Sequence, residues 1–170
     1  MNSRGKKLPV QAEAADLLIS QADNLYTYQK QAMPVLLGWS AGSILAGLLW
    51  MGSERRLWRG LGSQFLGWGA IDGLIAGFAL RRATKNASRL DSGEISPVEH
   101  QRQWLQFERF VWLNVLLDLG YIVGGAWLRQ RNPKDPQKQG MGWGIILQGG
   151  FLLAWDIILA TISRSKRLGS

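Results

Sequence analysis

Four windows in this chain are long and apolar enough to cross a bilayer, and they constrain its fold more than any motif does. Met33 to Met51 has no charged residue, while Gly60 to Leu80, Phe110 to Leu128 and Met141 to Ile162 hold one each, Asp72, Asp118 and Asp156. At about 1.5 Å of rise per residue such segments reach about 28 to 33 Å, the thickness of a hydrocarbon core. One window of this kind suits a buried helix of a soluble protein. Four in a chain of 170 residues do not, because so small a domain has too little interior to hide them. The sequence therefore predicts an all-α integral membrane four-helix bundle built from two tandem helical hairpins, with spans at about 33–51, 60–80, 110–128 and 141–162.

The connections set the topology. MNSRGKKLP is basic and is not followed by the apolar core of a signal peptide, so it reads as a cytoplasmic tail. Val10 to Gln31 carries Leu17, Leu18, Leu25 and Tyr28 among polar residues at helical spacing. Residues 1–32 are accordingly expected to be a tail and an amphipathic cytoplasmic helix, with Pro34 either opening the first span or kinking it. SERRLWR makes a tight turn between the first two spans, and ATKNASRLDSGEI reads as a polar loop after the second. Ser96-Pro97-Val98-Glu99 is a helix start, with a capping hydroxyl and proline at the first helical position. No breaker follows until Arg129, so the third helix is expected to begin in the cytoplasm and exceed thirty residues.

Charge and tryptophan give the orientation. The tail, middle loop and C-terminus hold 13 lysines and arginines against 7 in the two hairpin loops, which puts both termini in the cytoplasm. Trp50, Trp58, Trp127 and Trp143 all fall at the hairpin-loop ends, as an interfacial aromatic belt would. The net charge of +8 lies at helix ends and in loops, which points to anionic lipid headgroups rather than nucleic acid. With no cysteine and one histidine, His100, the chain has no thiolate chemistry and no bis-histidine haem or zinc site of its own, and no cofactor is expected.

Measured from the tryptophan belt, Gln64, Tyr121 and Gln148 fall at about 8 to 9 Å of depth, and Asp72, Asn114 and Asp156 near about 20 Å, with Asp118 between. Asn114, Asp118 and Tyr121 follow i, i+4, i+7 and share one face of the third helix, expected to point inward. No lysine or arginine lies within the spans to pair with the acids, and an unpaired carboxylate is expensive to ionise in hydrocarbon, so at least some are expected to be protonated. These seven residues are the candidate polar interior. They suit a proton or cation relay or a polar pocket, and equally a set of hydrogen bonds that fixes helix register.

Small residues recur every four positions: Gly38, Gly42 and Ala46; Gly69, Gly73 and Gly77; Gly120 and Gly124; Gly140 and Gly144. Such spacing lets helix backbones approach closely. The pattern Gly-x3-Gln-x7-Asp occurs twice, at Gly60, Gln64 and Asp72 and at Gly144, Gln148 and Asp156, which reads as an internal repeat at a shift of 84 residues.

The run WLNVLLDLGYIVGGAWL with GMGWGIILQGGFLLAWDIIL resembles an uncharacterised family of small four-span bacterial integral membrane proteins, mainly over the second hairpin. The resemblance implies a bacterial membrane setting and no activity. Without a nucleophile and base pair, a metal cluster or a phosphate loop, the chain does not read as an enzyme. The first expectation is a structural, assembly or interaction partner in a membrane complex, contacting lipids and another membrane protein or a second copy through its long cytoplasmic extensions. The alternative is a small transporter or ion-coupled carrier that uses Asp72, Asp118 and Asp156.

Overall fold

A computed structural model describes residues 24–169. They form four helices, α1 (Leu25–Met51), α2 (Arg56–Asp91), α3 (Pro97–Arg131) and α4 (Pro136–Gly169), with no strand among the described residues. Most of the expected amphipathic helix over 10–31 lies outside the described residues. Its last part is the start of α1, which runs unbroken past Pro34. Three helices, α1, α3 and Pro136–Arg167 of α4, are long and apolar enough to cross a membrane. The window at 60–80 in α2 falls short of that apolarity because six glycines, Gln64 and Asp72 dilute it.

Local chemistry accounts for the helix ends. The Ser96 hydroxyl accepts from the Glu99 amide at 3.2 Å and Pro97 opens α3, as the capping pattern predicts. Asn24 Oδ1 accepts from the Thr27 amide at 2.8 Å to open α1, and Asp135 Oδ1 takes the amides of Gln137 and Lys138 at the start of α4. The stretch ATKNASRLDSGEI departs from expectation, since α2 continues through it to Asp91. Alanine, lysine and arginine are good helix formers, and Ala83, Ala87 and Leu90 gain partners by staying helical, against Tyr26, Ile95 and Trp104. The turn comes only at Gly93, whose φ of +76° lies in the left-handed region where a side chain would be strained.

The helices run up and down, and their close contacts are α1 on α2, α2 on α4 and α3 on α4. The α2–α4 contact is made through glycine at the hairpin-turn end. A Cβ on Gly60 would overlap the Gln137 carbonyl oxygen, and one on Gly140 would overlap the Leu57 carbonyl oxygen. The pairs mirror each other: Gly60 and Gly140 are 80 positions apart, and so are Leu57 and Gln137. The outer helices dock similarly, Gly47 of α1 against Gly62 of α2 and Gly125 of α3 against Gly142 of α4. The packing symmetry thus follows a shift of 80, one helical turn from the 84 that aligns Gly60 with Gly144. Of the small residues singled out by four-residue spacing, Gly38, Gly42, Gly77, Gly120 and Gly124 have no neighbour within 4 Å of where a Cβ would stand, whereas Gly69, Gly73, Gly140 and Gly144 do.

At the opposite end the helices join in a second core. Trp104 of α3 is 1% exposed and donates its indole N–H to the Ser163 hydroxyl of α4 at 2.9 Å. Tyr26 of α1 donates its hydroxyl to Gln103 Oε1 of α3 at 2.8 Å. An ion pair, Arg167 Nε to Glu108 Oε2 at 2.8 Å, ties α4 to α3 and is largely shielded from solvent. The Leu25 amide, one of the orphan donors of a helix N-terminus, donates to His100 Nε2 at 3.2 Å.

Two predictions follow from this packing. Gly60→Ala and Gly140→Ala press a methyl group onto backbone, which cannot swing aside. Each should lower stability by about 1 to 3 kcal/mol in detergent thermal unfolding, while Gly120→Ala and Gly124→Ala leave it unchanged or slightly raised; equal effects at all four would contradict the glycine crossing. Second, burial holds His100 below the usual histidine range, and only the neutral ring can accept from Leu25. Its folded pKa is depressed, so its contribution is complete above the unfolded value of about 6.5 and is lost as pH falls through the folded one. Unfolding temperature should fall more steeply between about pH 7.5 and about pH 5.5 in the wild type than in His100→Asn.

Candidate functional site

The interior between the glycine crossing and the second core is polar. Ser40, Ser43 and Gly47 form a small-residue stripe on α1 at i, i+3, i+7, and all three are buried. The Ser40 hydroxyl donates to the Gly69 carbonyl of α2 at 2.7 Å, and Gly73 leaves room for that hydroxyl. Gln148 of α4, 1% exposed, uses both ends of its amide on α1: Oε1 accepts from Trp39 Nε1 at 2.8 Å, and Nε2 donates to the Ser43 hydroxyl at 3.1 Å. Trp39 stacks flat on Phe151 with ring centres 3.7 Å apart. Gln148 thus clips α1 to α4, two helices with little other close contact.

Asp72 of α2, Asp118 of α3 and Asp156 of α4 are 4%, 3% and 9% exposed. Asp156 lies within electrostatic reach of both other acids, and Asp72 within reach of Asp118. Among the described residues they are not gathered as metal ligands. Asp72 Oδ2 and Asp118 Oδ2 are fully buried without a hydrogen-bond partner. Native proteins seldom leave buried polar atoms unmatched, and here two such atoms belong to neighbouring acids on different helices.

The other candidates are distributed differently. Tyr121 is on the rim of the bundle, its ring edge-on to Trp68 of α2 at 4.7 Å. Gln64 is half-buried, its stem filling the space left by Gly144. The inward stripe of α3 is Val111, Val115, Asp118 and Gly125, with Asn114 and Tyr121 flanking it. Asn114 joins Asp156 on the wall of a cavity of about 450 Å³ between the acids and the second core. Its walls come from all four helices, among them Met33, Ile75, Phe107, Phe110 and Leu159, with Arg82 also lining it.

Sequence reasoning passed over Trp39, Ser40 and Ser43. The signal was present in two forms: a tryptophan six residues inside a span rather than at its end, whose N–H needs a buried acceptor, and two serines three apart in an otherwise apolar window. A difference test follows. Gln148→Leu leaves the Trp39 N–H and Ser43 hydroxyl unmatched and should cost about 1 to 3 kcal/mol in unfolding experiments. Gln64→Leu should be nearly silent, and comparable losses at both positions would undo the distinction.

Over residues 35–157 the chain matches a family described as of unknown function, DUF6992. No curated protein and no solved structure matches it.

Proposed function

The chain belongs to this DUF6992 family, and from its own residues we propose that it is a small integral membrane protein working as an ion-coupled carrier, with Asp72, Asp118 and Asp156 as its proton-binding groups. On this reading the bundle crosses a bacterial inner membrane four times, with both termini cytoplasmic. The observation that carries it is three buried carboxyl groups from three helices within electrostatic reach of one another, two with an unmatched buried oxygen. Residues present only to fix register would be matched as Gln148 is, both ends of its amide engaged on α1. A buried acid without a basic partner has no fixed positive charge holding it in the carboxylate form, so it can take up a proton as well as release one. Asp156 also borders the cavity, so an occupant there would meet a group able to exchange its proton.

The assembly reading drew on the cytoplasmic extensions, the N-terminal helix and the start of the third helix, as a contact surface. Much of their apolar surface is engaged within the chain, where Ala83, Ile95 and Trp104 pack with Leu25 and Tyr26. That support is correspondingly weaker.

The test is a pH jump applied to proteoliposomes on a solid-supported membrane, reading the transient current of proton binding. The wild type should give a transient, and Asp118→Asn, which keeps the shape of the side chain, should reduce it strongly at an unchanged unfolding temperature. Asp72→Asn and Asp156→Asn should act in the same direction. A wild-type transient that survives in all three variants, or three variants that no longer fold, would return the acids to a structural role.

A further inference from the structure

Asp156 shares the burial of the other two acids and their lack of hydrogen-bond partners, and differs from them in its place on the cavity wall. It is nine-tenths buried, it makes no hydrogen bond or ion pair among the described residues, and it lines the cavity. The cavity holds about 450 Å³, within the range that takes a drug-sized ligand. Its walls are mainly apolar and include the rings of Tyr26, Phe78, Phe107 and Phe110. Phe78, Phe110 and Ile75 are more than half exposed on the outside of the bundle. They belong to α2 and α3, which are not in close backbone contact. The cavity therefore opens sideways between these helices, toward whatever apolar phase surrounds them.

Charge selects the occupant. From α3 and α2, Asp118 and Asp72 lie within electrostatic reach of Asp156, and α1 brings two tyrosines, Tyr26 on the cavity wall with its hydroxyl donated to Gln103 Oε1 at 2.8 Å and Tyr28 with its hydroxyl donated to the Leu159 carbonyl at 2.9 Å. The basic residue on the lining is Arg82 of α2, and it is exposed. Aromatic rings attract cations through their faces, and while the amides on the lining, those of Gln29, Asn86, Gln103, Gln106 and Asn114, are neutral, its buried acidic group is the Asp156 carboxylate. We infer that this cavity binds a lipophilic organic cation, entering between α2 and α3 and setting its ammonium or phosphonium centre against Asp156.

This inference rests on the carrier reading and names its substrate class. Cation and proton then compete for one carboxylate: the cation enters as Asp156 gives up its proton, and acidification reverses the exchange with charge conserved. Asn114 supplies an amide beside the centre, and the rings supply the rest of the enclosure.

The experiment uses the full chain in a non-ionic detergent and two probes of matched shape and opposite charge, tetraphenylphosphonium and tetraphenylborate, with binding followed by calorimetry. The phosphonium should bind at least about tenfold tighter than the borate, a gap of about 1.4 kcal/mol. Its affinity should fall with pH, and binding should release protons. Asp156→Asn should remove the preference for the cation, while Asp156→Glu, which keeps the charge, should retain it and so separate loss of the site from loss of the fold. Equal or tighter binding of the borate, or phosphonium binding indifferent to Asp156→Asn, overturns the inference, as does no phosphonium binding at all. If the phosphonium fails to bind while the pH-jump transient is intact and sensitive to Asp118→Asn, the substrate class falls and the carrier reading stands. Phosphonium binding lost in Asp156→Asn without any wild-type transient supports the site and removes the coupling.

Discussion

Everything in this bundle depends on the contact of α2 with α4 through Gly60 and Gly140. With hydrogen in place of a side chain at each position, each helix backs onto a carbonyl of the other, Gln137 against Gly60 and Leu57 against Gly140. Helices that approach this closely gain from dense packing along the contact, the main attraction available where the surroundings are as apolar as the side chains. The contact also fixes the stations of α1 and α3. Each docks on the flank of one central helix through its own glycine pair, Gly47 with Gly62 and Gly125 with Gly142.

Because the crossing is at the hairpin-turn end, the two ends of the bundle differ. The turn end is closed by backbone contact, the tilted pair Trp50 and Trp58 with ring centres 5.6 Å apart, and Arg129 held 3.7 Å over the Trp143 ring. The far end is held by larger side chains with specific polar partners: Trp104 on Ser163, Tyr26 on Gln103, and the shielded pair of Arg167 with Glu108. Between the two is the space that the polar interior and the cavity occupy. A bundle closed by glycine at one end and by bulky side chains at the other keeps an interior that uniform packing would fill.

Within that interior the polar groups fall into two kinds. Gln148 has both ends of its amide matched and joins α1 to α4, so its role is met by hydrogen bonding. The aspartates lie where matching stops, each on a different helix and each within reach of another's charge. Each of the three acids is within electrostatic reach of the other two. Asp156 is the member open to the cavity.

The sequence by itself determined the helices and the start of the third. Long apolar windows with few breakers admit little else, and the Ser96-Pro97 start is local chemistry confined to neighbouring residues. It determined, too, that three carboxylates would lie in apolar helices with no basic residue alongside. The extension of α2 to Asp91 was not legible, because ATKNASRLD is held helical by Tyr26 and Trp104, distant in the chain. Nor was the working glycine register: small residues every four positions occur on several faces of a glycine-rich helix, and only the partner's position selects Gly47 over Gly42 or Gly125 over Gly124. Tertiary structure likewise decided that Gln148 is matched by Trp39 and Ser43 while the acids are not, since matching depends on which side chain another helix presents at that depth. One turn of register, the difference between shifts of 84 and 80, is enough to put Gln64 and Gln148 in different surroundings, because the face a helical residue presents is set by its packed neighbour and not by its own sequence repeat.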